Sequence, residues 1–302
     1  MKNLVIVTGI LAAILGCRKA GEPASRSPAA TPVPPVVIAP EAMLGQTSGL
    51  KEPRGVGVDA NGQIFIGDTG NQRVVRVDAT GKEPGPWGGW TAQAVLADLA
   101  VTPDGQVVTL NVNTGDVEVF GPDGKPGRRL GAVATNASGI AVGPDGRIWV
   151  ADTGQSRVLR FTSEGTPDGV FVGTGGATGQ FEQPIDVAVA PDGTAYVVDL
   201  RHRIVRLAPD GRIAAEWKVE LGLARGGSHL AVWRGLVVMT DPDRQRLCIL
   251  DPASGVLRFV GAEGNGPGQF RVPVGIAAGA DNKLYVVDSD NARVQVFSDL
   301  EK

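Results

Sequence analysis

One phrase recurs along this chain, and it limits the fold more than any other feature. It reads FIGDTGNQRVVRV at 65–77, WVADTGQSRVLRF at 149–161 and YVVDSDNARVQVF at 285–297. Altered versions stand at 197–207 (VVDLRHRIVRL) and 238–250 (VMTDPDRQRLCIL). A sixth, VTLNVNTGDVEVF at 108–120, has Asn111 in place of the Asp and Asp116 in place of the Arg. The copies lie about 41 to 47 residues apart, the period of four-stranded propeller blades. A catalytic site is normally built once, whereas a joint is built in every unit. The pairs Asp68 and Arg73, Asp152 and Arg157, Asp199 and Arg203, Asp241 and Arg246, and Asp288 and Arg293 therefore read as joints. Charge-assisted hydrogen bonds would tie each pair to its own loop or to a neighbouring blade.

Each copy divides the same way. In ASGIAVGPDGRIWVADTGQSRVLRFTSEG, residues 137–165, three apolar runs are separated by a Pro-Asp-Gly turn and the polar Asp-to-Arg loop, and a glycine turn follows. Pro-Asp-Gly recurs at 103–105, 122–124, 144–146, 191–193 and 209–211. Such turns join antiparallel strands, because Gly supplies the positive φ and Pro and Asp pre-set the positions before it. The first run of each copy, VGV at 56–58, LAV at 99–101, IAV at 140–142, VAV at 187–189, LAV at 230–232 and IAA at 276–278, always has Gly or Ala in the middle. That is what an innermost strand requires where blades crowd the axis.

These strands and turns at a fixed period predict an all-β, six-bladed β-propeller. The sixth copy ends without an outer strand, so the segment 36–44, VVIAPEAML, is expected to supply it and close the ring. Closure removes unpaired edges. The linkers GTGGATGQFEQPIDVAVAPDG at 173–193 and GAEGNGPGQFRVPVGIAAGADN at 261–282, with the Asp and Arg phrase after them, resemble NHL repeats. The resemblance is fullest in the fourth and sixth copies, and it too implies a six-bladed propeller.

The first residues carry one Lys, then an apolar stretch from Leu4 to Leu15, then Gly16 and Cys17. That stretch is too short for a membrane span and reads as a secretory signal over 1–16. Ile14, Leu15 and Gly16 before Cys17 resemble a bacterial lipobox, which implies acylation of Cys17. Residues 17–35, rich in Pro, Ala and Ser, cannot bury enough apolar area to fold and read as a lipid-anchored tether. The propeller would occupy 36–302. The expected location is the bacterial cell envelope, with the propeller extracytoplasmic, and the outer membrane if the host is Gram-negative, since no Asp follows Cys17. Cys248, the second of two cysteines, is flanked by apolar residues and reads as packing.

With 29 Lys and Arg against 32 Asp and Glu, the chain has no basic excess to attract nucleic acid. Walker, nucleophile-elbow, haem-attachment and His-Glu-x-x-His motifs are absent from the sequence. Function is therefore sought where the copies differ. The residue before each inner apolar run is Gly55, Asp98, Gly139, Asp186, His229 or Gly275. Three are glycine, while Asp98, Asp186 and His229 carry side chains able to coordinate or to move protons. In a six-fold ring the fourth and fifth copies are neighbours and the second and fifth are opposite. Asp186 and His229 could meet, with Asp98 approaching across the axis. The plainer reading has both carboxylates accepting backbone N–H bonds and His229 bonding a carbonyl or water.

Three readings follow, one of them a purely structural bound ion. The first is a lipid-anchored scaffold that binds a protein, peptide or glycan on one propeller face, with no cofactor and no catalytic residue. The alternative is a metal-dependent hydrolase or lyase, similar to gluconolactonases or paraoxonases, with calcium or zinc at the channel mouth. A three-histidine zinc site is ruled out because the chain has only His202 and His229. Two further features read as structural: Trp87 and Trp90 of WGGW as outer-strand packing, and Arg201, His202, Arg203 and Arg206 as a solvated basic loop.

Overall fold

A computed structural model describes residues 40–300, apart from 45–48, 79, 84, 86, 90–94, 173–179, 221 and 223–226. The expected signal and tether, Cys17 among them, lie outside the described residues, as does Trp90. No α-helix occurs among the described residues.

Six four-stranded antiparallel sheets form the blades. The first holds Pro53–Val58, Ile64–Asp68, Arg73–Val77 and the short Gly88–Gly89. The second holds Leu96–Val101, Val107–Asn111, Asp116–Phe120 and Pro126–Ala132. Gly139–Val142, Ile148–Asp152, Arg157–Phe161 and Pro167–Val172 make the third, and Pro184–Val189, Ala195–Asp199, Arg203–Leu207 and Ile213–Lys218 the fourth. The fifth comprises Leu230–Trp233, Leu236–Asp241, Arg246–Leu250 and Leu257–Val260. The sixth combines Pro273–Ala278, Leu284–Asp288 and Arg293–Phe297 with the N-terminal strand Ala42–Leu44, in the register Met43 opposite Gln295. Pro53–Val58 packs on Pro273–Ala278, so the first and last blades meet and the ring is closed.

The hairpins follow the turn chemistry read from the sequence. Gly105, Gly124, Gly146, Gly193 and Gly211 all have φ near +80°, the left-handed conformation that glycine adopts without steric cost. Between blades, apolar side chains of facing sheets interdigitate into separate clusters. One of them brings Val238, Leu247 and Ile249 of the fifth blade against Ile276, Val286 and Phe297 of the sixth. Near the axis the blades approach almost to backbone contact, and a Cβ on Gly57 would lie 2.7 Å from Val101 of the next blade. In the first blade's inner strand the contact leaves no room for a side chain at position 57.

The Asp-to-Arg loop is a joint. Asp68, Asp152, Asp199, Asp241 and Asp288 are all fully buried, and each accepts a bond from the Arg Nε that begins the third strand, at 2.7 to 3.0 Å. A second bond comes from a backbone N–H of the segment leading into the same blade's inner strand: Lys51, Thr135, Glu182, Gly222 or Arg271. The pair thus ties its own blade. Before each Arg the chain passes through one left-handed residue, Gln72, Ser156, His202, Gln245 or Ala292, a strained conformation that the clamp holds. The second blade departs from this pattern, since Asp116 turns to Arg129 of the outer strand at 2.5 Å.

The basic loop needs correction. Arg203 is buried and bound to Asp199 and Glu216, and Arg201 pairs with Glu182 at 3.1 Å. Acids placed beside these arginines by the fold neutralise what looked like a solvated cluster. Trp87 is packing: its ring meets Phe65 edge-on at 5.1 Å, and its Nε1 donates to the Pro122 carbonyl at 3.0 Å.

Candidate functional site at the channel mouth

The six inner strands line an axial cavity of about 400 Å³, and at one end of it the three odd side chains converge. In the second and fourth blades the inner strand begins two residues before the carboxylate, and the ladder slips between Leu96 and Asp98 and between Pro184 and Asp186. Such a bulge re-aims the side chain that follows it. Each Asp consequently points at the next inner strand of the ring: Asp98 Oδ2 accepts from Ile140 N at 3.2 Å, and Asp186 Oδ2 from Leu230 N at 2.6 Å. Asp98 Oδ1 also accepts from Leu99 N at 2.8 Å.

His229 stands just before Leu230–Trp233 and is oriented by Thr240, a residue that the repeat pattern did not single out. Thr240 Oγ1 accepts the His229 N–H at 2.9 Å and donates to the Val274 carbonyl of the sixth blade at 2.8 Å. The imidazole crosses the ring, with Nδ1 lying 3.3 Å from Asp98 Oδ2 and 3.6 Å from Asp186 Oδ2. All three residues come together as the ring geometry anticipates, and the backbone bonds of the plainer reading are present as well. The one signal in the sequence that could have pointed to Thr240 is that a hydroxyl stands where the first, third, fourth and sixth copies have Gly67, Ala151, Val198 and Val287.

The three glycines at equivalent positions are required by contact. A Cβ on Gly139 would overlap Asp186 Oδ1, one on Gly275 would overlap the Arg54 carbonyl, and one on Gly55 would lie 2.6 Å from Leu99 N. Blades one and six therefore close the ring backbone to backbone, while blades two to five are knitted by side chains.

Asp98, Asp186 and His229 are 6%, 2% and 4% exposed. Burial pushes the Asp186 carboxyl up to about 6, against the opposing pull of His229. Burial acts to lower the His229 pKa, but the charge of Asp98, joined by Asp186, outweighs it and raises the imidazole to about 10. Among the described residues, neither Asp186 Oδ1 nor His229 Nδ1 has an aligned hydrogen-bond partner. One ligand atom from each of the three residues lies within 4.8 Å of the others. The set can hold either a proton shared among three charges or a cation.

Comparison with known proteins agrees with this architecture. The NHL repeat family matches residues 50–77, 135–161 and 270–297, the first, third and sixth copies. The fourth copy, expected to match most fully, is not among them, and it is the one whose Asp-to-Arg loop is a residue shorter. Among solved structures, a streptogramin B lyase superposes with a TM-score of 0.62 at 13% identity, over 84% of this chain and 96% of that one. A virginiamycin B lyase from Staphylococcus aureus gives 0.58 at 18% identity, over 86% and 89%. A chain from a nidogen/laminin complex gives 0.58 at 17% identity, over 70% and 80%. Identities this low speak for the fold alone. The chain is a six-bladed β-propeller that carries NHL repeats.

Proposed function

We propose that this propeller is a rigid platform that binds another protein through the face on which the Asp-to-Arg loops emerge. The observation that carries the reading is the contrast between backbone and side chains there. Five buried Asp–Arg clamps fix the loops, while the residues they present, such as Lys51, Arg54, Gln72, Glu182, Arg244 and Arg271, are exposed and differ from blade to blade. Rigid loops with varied chemistry suit recognition, because little conformational entropy is lost on binding. A propeller in the nidogen/laminin complex supports the use of this fold in protein assembly. A glycan is the less favoured partner, since none of the described aromatic side chains is exposed to stack against a sugar ring.

We propose further, from the lipobox-like segment ending at Cys17, that acyl chains and the 17–35 tether hold this platform at a bacterial envelope. The hydrolase or lyase reading has less support, because Asp98, Asp186 and His229 are all buried.

The test is a pull-down from envelope extracts with the immobilised protein, beside an Arg54→Glu, Arg271→Glu double variant and an Asp192→Lys variant on the opposite face. Capture lost only in the first variant supports the reading. Equal capture by all three, or none by the wild type, overturns it. Radiolabelled fatty acid that enters the wild type but not Cys17→Ser would establish the anchor.

A further inference from the structure

We infer that Asp98, Asp186 and His229 form a binding site for one divalent transition-metal ion of the zinc class, which locks the ring across its axis. The inference is independent of the platform reading.

The geometry carries it. A charged imidazolium beside two carboxylates should turn its N–H directly at one of them, at about 2.7 to 2.9 Å. Here His229 Nδ1 instead sits between Asp98 Oδ2 and Asp186 Oδ2 at 3.3 and 3.6 Å, aligned with neither. Two ligands bound tetrahedrally to one ion at about 2.0 to 2.2 Å lie roughly 3.3 to 3.6 Å apart. The observed separations are those of donors arranged around a common centre.

The surroundings fit the same reading. Each carboxylate oxygen nearest the imidazole also accepts a backbone N–H, from Ile140 or Leu230, and Thr240 fixes the backbone of His229. Partners of this kind orient metal ligands. Asp98 also lines the axial cavity, from which a water could complete four-fold coordination. Charge points the same way, since two carboxylates, a neutral imidazole and a dication sum to zero in a buried site, where net charge is costly.

The donor set selects the ion class. Calcium takes six to eight oxygen ligands, whereas this site offers two carboxylates and one nitrogen, a set suited to zinc and its neighbours. The ion would join blades two, four and five, the part of the ring where side chains rather than glycines bridge the axis.

The experiment uses the full chain, stripped with a chelator and then titrated with zinc, calcium or cobalt(II) by calorimetry and thermal melting. The expected result is one zinc per chain, a melting midpoint raised by zinc and not by calcium, and the intense visible bands of tetrahedral cobalt(II). His229→Gln and Asp98→Asn should each weaken zinc binding by about tenfold or more. Should either variant fail to fold, the wild-type titration and cobalt spectrum decide alone. A wild type that binds no zinc, or binds it with unchanged affinity in folded variants, overturns the site and leaves an ionic triad sharing a proton.

Discussion

Asp186 of the fourth blade fills the space that a side chain on Gly139 of the third would need. The carboxylate is 2% exposed and is held from the other side by Leu230 N, so it cannot yield without losing that bond. Gly139→Ala should therefore destabilise the protein by about 1–3 kcal/mol, the usual range for overpacking a filled interior. A urea melt compared with the wild type measures it.

The clamps make a second prediction. Asp152 serves both Thr135 N at 2.8 Å and Arg157 Nε at 2.7 Å. In Asp152→Ala the Thr135 N–H and the guanidinium both lose their acceptor, and leaving such a group unmade costs about 1–3 kcal/mol. Arg157→Ala should cost less, because the arginine side chain is already 34% exposed. Denaturation of the two single variants gives the ordering.

Ring closure depends on three residues far from their partner strand. Ala42, Met43 and Leu44 pair with Val296, Gln295 and Val294. Removing residues 1–44 would leave Arg293–Phe297 as an unpaired edge, which invites pairing with another chain. The truncated protein should melt at a lower temperature and self-associate, as read by light scattering at increasing concentration.

Cys248 is fully buried, and burial pushes its thiol up to about 12. The thiolate is the reactive form, so in a Cys17→Ser chain no thiol should react with Ellman's reagent at pH 8 until denaturant is added. Labelling of the native protein would show that the fifth blade opens.

In chelator-treated protein the channel triad predicts a pH dependence. The groups facing His229 are Asp98 and Asp186, and they hold the imidazole at about 10 against its ordinary 6.5. A base with a raised folded pKa contributes stability that is complete below the unfolded value and lost as pH rises through the folded one. Stability should thus fall between about pH 6.5 and 10. Asp186, raised from 3.8 to about 6, gives the same sign in its lower window. Thermal melts across this range should show the decline, and Asp98→Asn should flatten its upper part.

The amino-acid sequence by itself determined the blade count, the hairpins and the joints. Those depend on local chemistry: a 41-to-47-residue period, Gly at positions of positive φ, and an Asp a few residues from its Arg. It also marked positions 98, 186 and 229 as unlike their equivalents. Tertiary structure alone decided what those residues do. The reach of His229 to 3.3 Å from Asp98 and the service of Thr240 to two blades exist only once the blades are assembled. Where blades one and six meet, Gly275 packs against the Arg54 carbonyl, a closeness between strands far apart in the chain. The acids that neutralise Arg201 and Arg203 were hidden for the same reason, since Glu182 and Glu216 become their neighbours only through strand pairing and loop placement.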